Sequence, residues 1–320
     1  MQHFNDFFLG IDTSCYTTSA ALLDENGNVI REDRRLLKVK LGMRGLSQSE
    51  MVYQHTRHLP QLLETIIGKD GNAIKAIGVS FAPRRRNDSY MPAFLVGKGF
   101  GEVISQILQC PCYQFSHQEN HIMAALRNVP KYWGKNGYMI HVSGGTTDCL
   151  SLSWSANHFV SDEVTSTVDI SAGQLIDRIG VLLDLEFPCG PAMERLAKEA
   201  EGQIPLLQLP RDPNVISFTG AETALRRIWE TQCISSAQIA AAVFDYIRRT
   251  FRRMLKNLAY KNNCYIIAVG GVMANLYLRQ HFFEDAEKVG LDVVFALPEY
   301  SSDNATGNAY GALRRYYDAL

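Results

Sequence analysis

One pattern is written twice in this chain: a buried strand, a loop of small polar residues, a returning strand and a tight turn. The first copy is Phe7-Phe-Leu-Gly-Ile-Asp-Thr-Ser, then Thr17 to Leu23, then Glu25-Asn-Gly-Asn before Val29-Ile30. The second is Tyr138-Met-Ile-His-Val-Ser-Gly-Gly-Thr-Thr, then Cys149-Leu-Ser-Leu-Ser-Trp and a turn at Ser155-Ala-Asn-His. Apolar runs bounded by turn residues read as strands, and the Asn/Gly turns as hairpins. Recurrence about 130 residues on reads as an internal duplication.

Helices fill each half. Ser49 to Ile67 places Val52, His55, Leu59, Leu62 and Ile66 on one face, which reads as ordinary amphipathic packing. Ser236 to Tyr260 carries an apolar stripe of Ile239, Val243, Ile247, Phe251, Met254 and Leu258. Its other face holds Arg248, Arg249, Arg252 and Arg253, either a solvated basic face or a nucleic-acid contact. Tyr265 to Val269 is a strand leading into Gly270-Gly-Val-Met-Ala-Asn and a helix; Val293 to Pro298 is another strand, and Asn304 to Tyr317 a closing helix. The fold class is therefore α/β with two duplicated lobes. The first is expected over 1–130, completed by the C-terminal helix 304–320, and the second over 131–303. No stretch reads as a linker, so a cleft between the lobes is the expected ligand site.

At 320 residues the chain can bury two ordinary cores, and 46% apolar with 20% charged residues is a globular balance. No run of 18 apolar residues is present and the start lacks a signal-peptide pattern, so no membrane and a cytoplasmic location are expected. Seven scattered cysteines, with Cys110 and Cys112 unmatched by a second pair, read as reduced thiols. A net charge of −1 excludes a generic nucleic-acid binder and leaves local basic patches open.

The chemistry-bearing residues begin with His117 and His121, whose i, i+4 spacing puts two imidazoles on one helix face. A divalent metal there needs a further ligand, and Asp303 and His141 are the candidates; without one, the pair is decoration. Ser143-Gly144-Gly145-Thr-Thr, Gly270-Gly271-Val-Met-Ala-Asn275 and Asp12-Thr-Ser-Cys are small-residue turns after strands, able to approach a phosphate. Thr167 to Arg178 places Asp169 before a helix and Gly173 and Asp177 within it. Either carboxylate is a helix-end or solvated charge, or an acceptor for ribose hydroxyls. Pro188-Cys-Gly190-Pro lets a ligand near the backbone. Arg84, Arg85 and Arg86 form a solvated loop or a phosphate contact.

Together these motifs resemble the tRNA threonylcarbamoyladenosine-modifying transferase family, formerly called O-sialoglycoprotein endopeptidase. That family belongs to the actin, sugar-kinase and heat-shock ATPase superfamily. The resemblance runs from Gly10-Ile-Asp-Thr-Ser-Cys to Ser302-Asp-Asn. It implies that His117, His121 and Asp303 hold iron or zinc. It also implies that ATP, AMP or an acyl-adenylate meets Ser143, Gly144 and Gly145 at its phosphates, Asp177 and Gly190 at its ribose and Asn275 at its adenine. Asp169, Gly173, Gly270 and Gly271 belong to the same cofactor-binding segments. His141 stands where archaeal relatives carry a metal-reaching tyrosine; it is a further ligand or a core histidine bonded to a carbonyl.

The departures are concentrated in the acidic groups. Tyr16 and Thr17 replace the two acids of the family's first loop, so no catalytic residue is assigned. Thr146 replaces a histidine, Ile170 the second acid of an Asp-Asp pair and Gln174 a helix glutamate; Ala82-Pro-Arg-Arg-Arg-Asn-Asp-Ser-Tyr replaces a glycine-rich loop. These losses imply a divergent paralogue. Two readings follow: a transferase acting on tRNA adenosine or a related acceptor, or a drifted partner subunit in a homo- or hetero-dimer formed through first-lobe helices. A metalloprotease is disfavoured, because Glu119 does not sit directly after His117 as in H-E-x-x-H.

Overall fold

Each copy of the duplicated pattern becomes three strands of a five-stranded sheet in a computed structural model, which describes residues 6–14, 16–39, 46–86, 89–156, 158–258, 265–296 and 303–319. Cys15, Asn87, Asp88, Asn157, Tyr260, residues 297–302 and Leu320, which fall in the motifs and elements read above, lie outside the described residues. The first sheet holds β1 (Phe7–Ser14), β2 (Thr17–Asp24), β3 (Val29–Leu36), β4 (Ile74–Ala82) and β5 (Cys112–Ser116), in the order β3-β2-β1-β4-β5. The second holds β6 (Gly137–Val142), β7 (Thr147–Ser155), β8 (His158–Ser166), β9 (Tyr265–Val269) and β10 (Asp292–Phe295), in the order β10-β9-β6-β7-β8. Read from its other edge, the second order repeats the first, strand for strand. In both, the hairpin strands pair antiparallel and the last two strands join in parallel. Parallel neighbours require crossovers, and α1 (Gln48–Ile67) and α2 (Ala93–Leu108) supply them in the first sheet.

Two compact units result: Met1–Gly134 with Trp154–Val160 and Glu299–Leu320, and Lys135–Ser153 with Ser161–Pro298. In the first, Leu9, Ile11, Ala20 and Leu22 pack against Leu59, Leu62, Leu63 and Ile66 of α1. His55 is wholly buried and hydrogen-bonds through Nδ1 to the Thr18 hydroxyl at 2.8 Å, whereas Val52 on the expected stripe is only half-buried. The last helix, α9 (Thr306–Tyr317), lies against β1 and β4 at backbone distance. A Cβ at Gly10 would fall 2.1 Å from the Ala305 carbonyl oxygen, and one at Gly78 2.0 Å from that of Asn308. Only glycine permits that approach.

In the second unit Tyr138, Ile140 and Val142 share a core with α7 (Ser236–Leu258), whose expected stripe from Ile239 to Leu258 is buried throughout. The arginine face of α7 is exposed at Arg252 and half-buried at Arg248, Arg249 and Arg253, with structural partners that the sequence reading did not foresee. Arg249 donates to Asp245 at 2.7 Å and to the Leu207 carbonyl at 2.8 Å; Arg253 donates to the carbonyls of Pro210 at 2.6 Å and Val215 at 2.9 Å. Arg248 lies 3.7 Å from Asp245 and Arg252 3.7 Å from Asp285. The irregular segment 207–215 has no ladder of its own, so its carbonyls need these donors. No helix among the described residues is long and apolar enough to cross a membrane.

Candidate functional site

The histidine pair owes its place to a helix start. Ser116 caps α3 (His117–Leu126): its hydroxyl accepts from the Glu119 amide at 3.2 Å, and the Glu119 carboxylate accepts from the Ser116 amide at 2.7 Å. This capping box fixes the first turn. It also spends Glu119, which is buried and paired with Arg85 at 3.0 Å, so this carboxylate serves the helix start rather than the histidines.

His117 and His121 then present both Nε2 atoms to Asp303, and these three residues form a compact ligand set within the first unit. The Nε2 atoms are 3.1 Å apart, and Asp303 Oδ1 lies 3.3 Å from that of His117 and 3.5 Å from that of His121. Metal–ligand bonds of about 2.1 Å put neighbouring donors roughly 3.0 Å apart at right angles and roughly 3.4 Å apart at the tetrahedral angle. The spacing and the nitrogen and oxygen donors therefore fit a divalent ion. His141 lies in the second unit, on β6.

Two residues that the sequence did not single out for this role support the cluster. Asp12, fully buried at the end of β1, meets His117 Nδ1 at 3.2 Å, which orients the ring and leaves Nε2 for a ligand. Burial alone would raise the Asp12 carboxyl, but the charge and hydrogen bond of His117, with Ser14 and Ser80, bring it below its ordinary value. Burial likewise pulls His117 down, and Asp12 and then Asp303 overcome it, raising the ring well above the usual imidazole range. Asp303 is pushed up by burial and held well below the carboxylate range by hydrogen bonds from His117 and His121 and by their charge.

Asn120 lies between the two histidines in sequence and is fully buried. Its amide donates to the Asn304 carbonyl at 2.5 Å and accepts from the Asn308 amide at 2.8 Å. Asn308 in turn donates to the Ile11 carbonyl at 2.7 Å and the Ser80 hydroxyl at 2.9 Å. Asn304 accepts from the Thr306 amide at 2.9 Å, which explains why α9 starts later than expected. The residue after Asp303 is thus tied to the helix that carries both histidines.

The other candidates fall in the second unit, around a cavity of about 380 Å³. Gly144, Gly173, Asp177, Gly190, Gly271 and Asn275 line it, as do Glu194 and Phe244, which the sequence did not flag. A Cβ at Gly144, Gly190 or Gly271 would meet no protein atom within 4 Å, and none of these glycines has a positive φ. Neither packing nor backbone strain demands glycine there, whereas a ligand pressed onto the backbone would. Asp177 accepts from the Cys189 amide at 2.8 Å through one oxygen, which fixes the turn preceding α5 (Gly190–Lys198).

Ser143, Gly145, Asp169 and Gly270 are not among the cavity-lining residues. Ser143 accepts from the amides of Gly145 and Thr146, both at 3.1 Å, so these two N–H groups are already engaged. Asp169 is exposed and does not cap the helix that follows it, α4 (Ala172–Leu182). It accepts from Ser217 at 2.6 Å, Phe218 at 2.9 Å and Thr219 at 3.2 Å, at the start of α6 (Thr219–Glu230). Those bonds outweigh burial and lower its carboxyl. Gly270 has φ +99°, and a Cβ there would fall 2.2 Å from the Val142 carbonyl oxygen. The helix expected from 270 starts later: Gly271–Ala274 is a 3-10 turn, and Asn275 caps α8 (Leu276–Glu287) by accepting from Leu278 at 2.9 Å. Tyr16 is exposed, while Thr17 is buried in β2.

Comparison with known proteins places this arrangement. The family model described as TsaD: tRNA N6-adenosine threonylcarbamoyltransferase matches residues 50–310. Curated relatives bearing the name tRNA N6-adenosine threonylcarbamoyltransferase include one from Carboxydothermus hydrogenoformans, 28% identical over 96% of this chain and 92% of its own length. Another, from Thermotoga neapolitana, is 28% identical over 93% of this chain and 90% of its own. Among solved structures, component A of (R)-2-hydroxyglutaryl-CoA dehydratase from Acidaminococcus fermentans aligns with a TM-score of 0.54 at 15% identity, covering 98% of this chain and 99% of that one. A ROK hexokinase from Thermus thermophilus gives 0.53 at 14% identity, covering 98% and 99%. These likenesses establish the fold as the duplicated α/β fold shared with that dehydratase component and that hexokinase. The match to the family model, over most of the sequence, establishes the lineage: the chain belongs to the tRNA N6-adenosine threonylcarbamoyltransferase family.

Proposed function

We propose that this chain transfers a threonylcarbamoyl group from an acyl-adenylate to the exocyclic amine of a tRNA adenosine. A divalent iron or zinc ion would be held by His117, His121 and Asp303. The observation that carries the reading is the 3.1 to 3.5 Å spacing of the three donor atoms. In the transfer, the adenine nitrogen forms a bond to the carbamoyl carbon and loses a proton; the carbon–oxygen bond to phosphate breaks, and AMP leaves with the electron pair. A divalent ion, when bound, supplies a Lewis acid for a carbonyl oxygen.

The chain's own groups supply the rest. Asp12 fixes the His117 tautomer, and Asn120 holds the segment bearing Asp303 to α3. Gly144, Gly190 and Gly271 admit the nucleotide to the backbone, Asp177 and Glu194 accept from ribose hydroxyls, and the Asn275 NH2 group donates to adenine. Ser143 and Gly145 support the turn carrying Gly144, while Asp169 and Gly270 brace neighbouring segments. His141 remains a proposed further ligand.

The drifted-partner reading is disfavoured, because the curated relatives named above are transferases and the ligand geometry is kept. A protein contact through first-unit helices remains compatible with catalysis. Tyr53, Leu95, Val103 and Ile107 leave 55%, 47%, 55% and 74% of their surfaces exposed on α1 and α2, which supports a homo- or hetero-dimer there. The test is transfer of labelled threonylcarbamoyl to unmodified tRNA. Activity abolished by chelation and restored by Fe(II) or Zn(II) supports the proposal, and activity indifferent to chelation refutes it.

A further inference from the structure

A tRNA acceptor must be gripped through its phosphates, and an overall charge of −1 supplies no general attraction. The arginines of α7 are occupied by carbonyls and carboxylates. Another group of basic side chains converges in the first unit. A hollow of about 260 Å³ opens beside the edge strand β5, lined by Arg85, His158 and Arg315 with Gln114 and Tyr113. These basic side chains come from the loop after β4, the start of β8 and the last turn of α9, and among the described residues no Asp or Glu lines the hollow.

Its guanidinium groups are set before any ligand arrives. Arg85 donates from Nε to Glu119 at 3.0 Å and from Nη2 to the Gln114 carbonyl at 2.7 Å, and lies 5.2 Å from the centre of the Phe81 ring. Those bonds leave Nη1 for a ligand. Arg315 lies 5.3 Å from the centre of the Tyr113 ring, and the Tyr113 hydroxyl donates to its carbonyl at 3.4 Å. A held planar guanidinium matches phosphate better than a mobile ammonium. Glu119, the anchor of Arg85, belongs to α3, the helix that also carries His117 and His121.

We infer that the hollow seats a backbone phosphate of the same tRNA acceptor whose adenosine reaches His117, His121 and Asp303. This inference rests on the transferase reading, with phosphate contacts fixing the position of the RNA. The experiment measures fluorescence anisotropy of labelled, unmodified tRNA between 50 and 200 mM salt, for wild type, Arg315→Gln and Arg315→Lys. Loss of one phosphate contact lowers the log–log salt slope by about 0.7 to 0.9, roughly a threefold smaller change in Kd across that range. Arg315→Gln should show this deficit with unchanged metal content and melting temperature, and Arg315→Lys should regain most of the slope. Equal slopes in wild type and Arg315→Gln would overturn the inference. So would inorganic phosphate binding that depends on Arg315 while tRNA binding does not. A wild-type protein that binds metal and ATP but no tRNA would overturn the acceptor assignment itself.

Discussion

Gly307 is where the fold and the metal cluster can be pulled apart by one carbon atom. It lies in the first turn of α9, and a Cβ there would fall 1.9 Å from the Asn120 carbonyl oxygen and 2.6 Å from its side-chain oxygen. Side-chain carbons do not approach backbone oxygen within 3.0 Å, so Gly307→Ala must part α3 from α9 by about 1.1 Å at that point. Metal sites tolerate about 0.2 Å of error in ligand distance. His117 and His121 ride on α3, while Asp303 precedes α9, so the displacement falls on the ligand spacing. Overpacking should cost about 1 to 3 kcal/mol in urea unfolding. In a cobalt(II) titration followed by visible absorption, affinity should fall at least tenfold, about 1.4 kcal/mol. Gly220→Ala is the control, because a Cβ on α6 meets nothing within 4 Å. Wild-type stability and wild-type cobalt affinity in Gly307→Ala would refute the reasoning.

Three further outcomes are expected. Asp12→Asn removes the carboxylate that orients His117 and should weaken metal binding by about 10- to 100-fold in a competition titration; unchanged affinity would mean that Asp12 only fills space. Burial lowers His55 from 6.5 to about 4, so on acidification the unfolded chain takes up the proton first. Its contribution is intact above pH 6.5 and lost as pH falls toward 4, so wild type should lose about 3 kcal/mol more stability than His55→Gln between pH 7 and 4; parallel urea-melt curves would contradict this. Gly271→Val fills open cavity space rather than protein, so calorimetry should show ATP affinity down at least tenfold with the melting temperature unchanged; normal ATP binding would remove the nucleotide from that cavity.

Much of the fold was legible because apolar runs and hairpin turns act locally, and both sheets repeat one strand order. The histidine pair was legible for the same reason, since i, i+4 spacing and a Ser116 cap lie within one short segment. What escaped depends on partners remote in sequence. Asp169 is bound by residues 48 to 50 positions away. The arginines of α7 reach carbonyls about 40 residues back, which no helical wheel displays. Asp12 was assigned to a phosphate turn because strand periodicity does not say which helix covers its face. The delayed start of α8 had a local signal, Asn275 before an apolar run, but the preceding Gly-Gly drew the boundary too early.

The most direct measurement is metal stoichiometry by elemental mass spectrometry, on protein prepared without oxygen and reconstituted with Fe(II) or Zn(II). It should be made on wild type and on His117→Ala, His121→Ala and Asp303→Ala, with tRNA threonylcarbamoylation assayed on the same samples. One ion per chain in wild type, lost together with transfer activity in each variant, is the expected result. Transfer activity in the wild-type protein with no bound metal, or variants that keep both ion and activity, would contradict the assignment of His117, His121 and Asp303 as the centre of this transferase.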